Sequence, residues 1–116
     1  FVDDLADACL FALENWNPLD ENSPKDKFGN TLFWLNVGCN TEISIKNVVE
    51  KISNIVGYEG EILWDETKPD GTPRKILDTS RMRNLGWESK IDLDLGIKLT
   101  LKSYQDEISS NKLRYL

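Results

Sequence analysis

The amino-acid sequence predicts an α/β chain, which as an isolated piece would be classed as α+β. Two observations predict this class. Apolar residues recur at helical spacing in several stretches, and residues 31–37 form an almost continuous apolar run rich in aromatic residues. Such a run is typical of a strand buried on both faces of a parallel sheet. A strand of that kind needs neighbours on both sides, and the chain has few segments to supply them.

The first half of the chain contains a predicted helix, a loop and this strand. Asp3 or Asp4 is suited to cap a helix of about a dozen residues. Residues 15–30 are polar and aperiodic, which indicates a long loop before the strand at 31–37. The apolar positions that predict the helix are Leu5, Cys9, Ala12, Leu13 and Trp16.

The second half begins with the most regular helical pattern, over residues 45–56. Ser44 is suited to cap the start of this helix, and Gly57 is suited to end it. Residues 61–65 then indicate a short strand, and a loop with two prolines and a glycine follows.

The last part of the chain contains two further predicted helices. A short one is expected to open at residues 78–80 and to end at Gly86. A longer one is expected from about Asp92 to about Ile108, because apolar residues recur there every three or four positions. We expect the remaining tail to fray.

Composition excludes several classes of function. The net charge is −6, from 14 basic and 20 acidic side chains, so no general nucleic-acid or anionic-membrane surface is expected. With no histidine and two cysteines, the chain has no material for imidazole metal ligands, a histidine general base or a four-thiolate zinc site. The sequence also contains no recognisable cofactor loop or nucleophile motif, so we expect no catalytic residue and no metal site in it.

No apolar run approaches the roughly 18 residues that a membrane helix needs. The start, Phe1–Asp4, lacks a signal-peptide pattern and an initiator methionine. We expect Cys9 and Cys39 to be reduced thiols. These features predict a cytoplasmic location and a chain that is one segment of a longer protein.

The sharpest candidate site is the loop Lys68–Lys75, in which two prolines and a glycine shape the backbone around one carboxylate and several cations. A rigid loop of this kind can hold Asp70 against ribose hydroxyls while Arg74 and Lys75 face phosphates or a base carbonyl. The alternative is a surface turn whose charges are simply solvated.

Three other features have simpler explanations than chemistry. Asp3 and Asp4 suit capping better than acid–base catalysis. Residues 38–41 follow the predicted strand and could border a ligand, although a plain connection explains them as well. Neither cysteine has a neighbour that marks it as reactive.

Several segments together resemble the C-terminal part of the GDP-L-fucose synthases, a branch of the extended short-chain dehydrogenase/reductase family. Two of them, residues 2–8 and Asn36–Gly38, occur widely in that family. Residues 68–75, followed by a short helix and Leu85-Gly86-Trp87, are more particular to the fucose synthase branch. The remaining similar segments are residues 42–46 and 57–62.

The resemblance implies an enzyme with an N-terminal NADP-binding Rossmann domain and a smaller substrate domain. Such enzymes convert GDP-4-keto-6-deoxy-D-mannose to GDP-L-fucose by 3,5-epimerisation and NADPH-dependent 4-reduction. Residues 1–116 would then be the C-terminal substrate-binding segment, and residues 31–37 would belong to the Rossmann sheet. The catalytic groups and the dinucleotide loop would lie upstream of Phe1, so the segment alone is expected to bind no NADP(H) and to be inactive.

The resemblance also implies which residues bind the GDP-sugar. Asp70 and Lys75 match family positions that contact the nucleotide, and Arg74 matches the motif. We expect the parent enzyme to be a homodimer. We also expect the segment alone to self-associate, because its strand at 31–37 would lack partners. Two alternatives remain open: another sugar-nucleotide epimerase or dehydratase, and a stand-alone nucleotide-sugar-binding module.

Overall fold

The computed structural model describes residues 1–110, which form four α-helices. These are α1 (Val2–Asn15), α2 (Ile45–Val56), α3 (Ser80–Leu85) and α4 (Leu93–Ser109). The chain divides into two compact units. The first unit contains residues 1–42 and 74–90, with α1 and α3, and the second contains residues 43–73 and 91–110, with α2 and α4. Within residues 1–110, no helix is long and apolar enough to cross a membrane.

The core of the first unit lies between α1 and α3. Ala8, Met82 and Trp87 are buried there, and Leu35 and Val37 pack against them together with a side chain of α1. Because alanine is small, α1 can approach the two larger side chains closely at Ala8. The core therefore holds residues 35–37 against both helices.

The buried face of α1 differs from the apolar stripe that its sequence predicts. Asp4 and Ala8 are the buried residues of this helix, whereas Leu5 and Leu13 are 51% and 84% exposed. Within the first unit, α1 therefore packs through the face that carries Ala8 and not through the face that carries the leucines.

Two aspartates of α1 join the helix to the segment that follows α3. Asp4 Oδ1 accepts a hydrogen bond from the Lys90 backbone N–H at 3.1 Å, and Asp7 Oδ2 accepts from Trp87 Nε1 at 2.8 Å and from Lys90 Nζ at 3.3 Å. No side chain caps the start of α1, so the capping role predicted for Asp3 or Asp4 is wrong. Asp4 instead lies inside the helix, where its carboxylate reaches a distant backbone group.

Residues 1–110 contain no β-strand, so the predicted strands at 31–37 and 61–65, and the α/β class that they imply, are not confirmed by this structure. A strand exists only where its backbone groups pair with another strand. Pairing in this part of the chain is limited to one antiparallel bridge between Lys25 and Thr31. Burial on both faces fails as well, because Phe33 and Trp34 are 65% and 58% exposed.

The second unit confirms the prediction for α2. The Ser44 side chain accepts a hydrogen bond from the Asn47 backbone N–H at 3.1 Å, and Gly57 ends the helix in the left-handed conformation with φ of +70°. Helix α2 packs against α4, and Lys51 Nζ binds both carboxylate oxygens of Asp94 at 2.7 and 3.0 Å.

The predictions for the last two helices are also confirmed. Helix α3 ends at Gly86, whose φ is +103°, and α4 begins after Asp92, whose side chain accepts a hydrogen bond from Leu95 N at 2.8 Å. The predicted fraying of the tail concerns residues 111–116, which lie outside the described residues.

Candidate functional site

The candidate loop is entered through a turn that Asp65 stabilises. Its Oδ1 accepts hydrogen bonds from the Thr67 backbone N–H at 3.0 Å and from the Thr67 hydroxyl at 2.5 Å. Both bonds lower the pKa of the Asp65 carboxyl below its usual value, and the bond from the Thr67 hydroxyl has the larger effect. The turn directs the chain from residues 61–65 into the loop that carries Asp70.

Asp70 and Lys75 are both exposed. Within residues 1–110, neither side chain makes a hydrogen bond or an ion pair. The carboxylate of Asp70 can therefore accept hydrogen bonds from hydroxyl groups of a ligand, and the ammonium group of Lys75 can neutralise a phosphate, with no internal contact to break first.

Arg74 differs from these two residues because it has a partner. Its Nε donates to Glu42 Oε1 at 3.1 Å and to Oε2 at 3.2 Å. Both side chains are largely exposed, at 68% for the arginine and 50% for the glutamate. The pair anchors the end of the loop to the segment that follows Val37.

Two further side-chain contacts hold the same stretches of the first unit together. Asn36 Nδ2 donates to the Asp78 carbonyl at 3.1 Å, and Thr79 Oγ1 donates to Asn40 Oδ1 at 2.6 Å. The Asp78 carboxylate accepts from Ser80 N at 2.9 Å, and this backbone hydrogen bond is the largest cause of its lowered pKa. Residues 36–42 and 74–80 are thus tied together at several points.

A small open cavity of about 140 Å³ lies in the first unit beside these contacts. The residues that line it are Gly38, Asn40, Thr79, Met82, Arg83, Trp87, Glu88 and Ser89. This places part of the predicted 38–41 connection at a concave surface. Cys39 is exposed, with its thiol 3.8 Å from the Thr41 carbonyl oxygen. Within residues 1–110, no three potential metal-ligand side chains cluster.

The predicted site residues are divided between the two units. Asp70 belongs to the second unit, whereas Arg74 and Lys75 belong to the first. The structure brings Arg74 together with Glu42, a residue that the sequence analysis did not select as a ligand-binding candidate. A signal for this pair is absent from local spacing, because its members lie 32 positions apart.

Several curated proteins are similar to this chain. GDP-L-fucose synthase 1 of Arabidopsis thaliana is 40% identical over 103 residues, which cover 89% of this chain and 28% of that protein. GDP-L-fucose synthase of Escherichia coli K12 is 37% identical over 101 residues, which cover 85% of this chain and 30% of that protein. The chain therefore spans about 30% of the length of the curated relatives that it matches.

A solved structure is also similar. The crystal structure of a GDP-6-OMe-4-keto-L-xylo-heptose reductase from C. jejuni matches with a TM-score of 0.75 and 34% identity, over 90% of this chain and 29% of that one. No family model matches the chain. The resemblance that the motifs predict is nevertheless confirmed by these relatives. Over most of its length, this chain is similar to the C-terminal part of GDP-L-fucose synthases.

Proposed function

We propose that this chain is the GDP-sugar-binding segment of a GDP-L-fucose synthase. The whole enzyme would convert GDP-4-keto-6-deoxy-D-mannose to GDP-L-fucose by 3,5-epimerisation and NADPH-dependent 4-reduction. One observation carries this proposal: enzymes of that name match 85–89% of the chain at 37–40% identity. The specific motif at residues 68–75 lies within the same chain and presents exposed charges of both signs.

The names of the similar proteins favour recognition of the nucleotide end of the substrate. The fucose synthases and the heptose reductase differ in the sugar that their names specify, but each name specifies a GDP-linked sugar. The feature common to these substrates is therefore GDP. A segment shared by all of these enzymes is best explained if it binds the common part.

The charges of the loop fit the chemistry of GDP. In this proposal Asp70 accepts hydrogen bonds from the ribose hydroxyls, while Lys75 and Arg74 donate to the diphosphate. Binding energy from this remote end of the substrate would position the keto sugar against cofactor and acid–base groups elsewhere in the enzyme. The segment would then contribute positioning and no chemical step.

The remaining parts of the enzyme belong to the same proposal. An N-terminal Rossmann domain would hold NADP(H), and residues 31–37 would join its sheet to give the α/β fold. The exposed side chains of Phe33 and Trp34 support this, because a neighbouring strand or helix would cover them. The enzyme would be a cytoplasmic homodimer, and the segment alone would lack turnover and would self-associate.

Kinetics of the full-length enzyme test the assignment of the loop. We expect Asp70→Ala and Lys75→Ala each to raise KM for the GDP-sugar about tenfold, with a smaller change in kcat, because the lost contacts lie far from the reacting carbons. Asp106→Ala and Lys102→Ala are matched controls, since these residues form an exposed ion pair on α4. Unchanged kinetics in both loop variants would remove the assignment.

A reductase acting on another GDP-linked keto sugar is the second candidate function. The similarity to the heptose reductase favours it. Turnover of GDP-4-keto-6-deoxy-D-mannose to GDP-L-fucose by the full-length enzyme supports the first candidate. Reduction of a different GDP-keto-sugar, with no reaction on that compound, supports the second.

A further inference from the structure

We propose that Glu42 is a positioning residue for Arg74, and that it orients the guanidinium group to bind a phosphate group of GDP. This inference rests on the proposed function and adds to it a residue outside the loop motif. It depends on which edge of the guanidinium Glu42 occupies.

Glu42 contacts only the Nε edge of Arg74. Both of its carboxylate oxygens accept from Nε, at 3.1 and 3.2 Å. Within residues 1–110, the two terminal amino groups of Arg74 donate no hydrogen bond. A guanidinium group has five N–H donors in a planar fork, so four of them remain for a ligand. This is the set of donors that binds two phosphate oxygens at once.

The position of Glu42 is itself restrained. Two residues before it, Asn40 accepts a hydrogen bond from Thr79 at 2.6 Å, and Val37 packs against the core of the first unit. Arg74 therefore contacts a carboxylate that is attached to a packed segment. A side chain that is already oriented loses less rotamer freedom when a ligand binds, and the affinity rises accordingly.

Stability alone is a poor explanation for this ion pair. Both partners are at least half exposed, and exposed pairs contribute little to folding because solvent screens them. If the pair acts mainly through orientation, its removal should weaken nucleotide binding much more than it lowers the melting temperature.

The test is calorimetric titration of GDP into the full-length enzyme and its variants. We expect Glu42→Ala to raise the dissociation constant about fivefold to tenfold and Arg74→Ala to raise it about tenfold. Glu42 acts through Arg74, so the double variant should bind no more weakly than Arg74→Ala alone. Glu50→Ala is the matched control, because it removes the same charge from an exposed ion pair on α2 and should leave the dissociation constant unchanged.

Exchanging the two charged residues tests whether Glu42 orients Arg74 for the ligand or only forms an ion pair with it. The double variant Glu42→Arg with Arg74→Glu can restore an ion pair, but it places a carboxylate where the phosphate needs a donor. We expect it to melt within about 2 °C of the wild type, since exposed pairs contribute little, and to bind GDP at least tenfold more weakly. Recovery of wild-type affinity in this variant would overturn the inference.

The other outcomes are also distinguishable. Unchanged or tighter binding in Glu42→Ala, with weaker binding in Arg74→Ala, means that Glu42 competes with the phosphate and overturns the inference alone. Equal GDP affinity in the wild type and Asp70→Ala overturns the proposed role of the loop instead. No binding of GDP by the wild type overturns both.

Discussion

The core of the first unit makes a quantitative prediction at Met82. This side chain is 1% exposed and is one of the largest fully buried side chains in the described part of the chain. It is also the one buried residue of α3, a helix of only six residues. Packing at Met82 should therefore determine whether α3 stays in contact with Ala8 and Trp87.

Met82→Ala should lower the free energy of unfolding by about 2–3 kcal/mol. Burial of the methionine sets the general range, because removal of a large aliphatic side chain from a core costs about 2–5 kcal/mol. Met82 also lines the open cavity of about 140 Å³, so its surroundings have room to relax. When the surroundings relax, the cavity left by the substitution becomes smaller and destabilises the protein less. We therefore expect a loss of unfolding free energy in the lower half of that range.

Urea unfolding followed by circular dichroism measures this change. With a slope of about 1.5 kcal/mol/M, the midpoint should fall by about 1.3–2 M. Met82→Leu nearly conserves volume and should cost less than about 1.5 kcal/mol. Asn84→Ala, an exposed substitution in the same helix, should stay within about 0.5 kcal/mol of the wild type.

Two results would refute the reasoning. If Met82→Ala lowered the free energy of unfolding by less than about 1 kcal/mol, this side chain would not be part of the core, because truncation of a buried methionine to alanine costs more than that. Equal losses in Met82→Ala and Met82→Leu would show that shape at this position, rather than buried volume, decides stability.

Two further predictions concern a carboxylate and a helix cap. Hydrogen bonds from Trp87, and then from Lys90, lower the pKa of the Asp7 carboxyl, so its contribution to stability is complete above about pH 4 and is lost as the pH falls through its folded-state pKa. Urea midpoints between pH 7 and pH 2 should therefore converge for the wild type and Asp7→Asn at the acidic end, and a constant difference would contradict this. Ser44→Ala removes the acceptor of the Asn47 N–H and should cost about 1 kcal/mol, with faster amide exchange in the first turn of α2. Unchanged exchange there would show that the cap is dispensable.

Local chemistry explains why most helix boundaries could be predicted. The serine that caps α2 and the glycines that end α2 and α3 act on backbone groups only a few positions away. Residue type and spacing therefore carry this information directly. The predicted bounds of α4 agree with Leu93–Ser109 for the same reason.

Residues 31–37, which the sequence predicts as a strand, show the limit of such local information. The apolar composition of this segment indicates that some of its side chains are buried, and Leu32 is buried in the structure. Composition cannot supply a pairing partner, however, and a strand is defined by its partner. The exposed Phe33 and Trp34 mark the faces that remain uncovered within the described residues.

The candidate site follows the same division. The charges and turn-forming residues of the loop, and its likeness to GDP-sugar enzymes, can be read from residues 68–75 alone. The contact between Arg74 and Glu42 cannot, because it joins positions 32 residues apart.

Residue type and short-range spacing were enough to predict the four helices, the serine that caps α2, the glycines that end α2 and α3, and the family likeness. They were not enough for the start of α1, which no side chain caps. Three contacts became visible only in the folded chain: α1 packs through Ala8, Asp7 accepts a hydrogen bond from Trp87, and Glu42 accepts from Nε of Arg74. Each of these depends on the folded path of the chain, which brings together groups that neither periodicity nor local propensity connects.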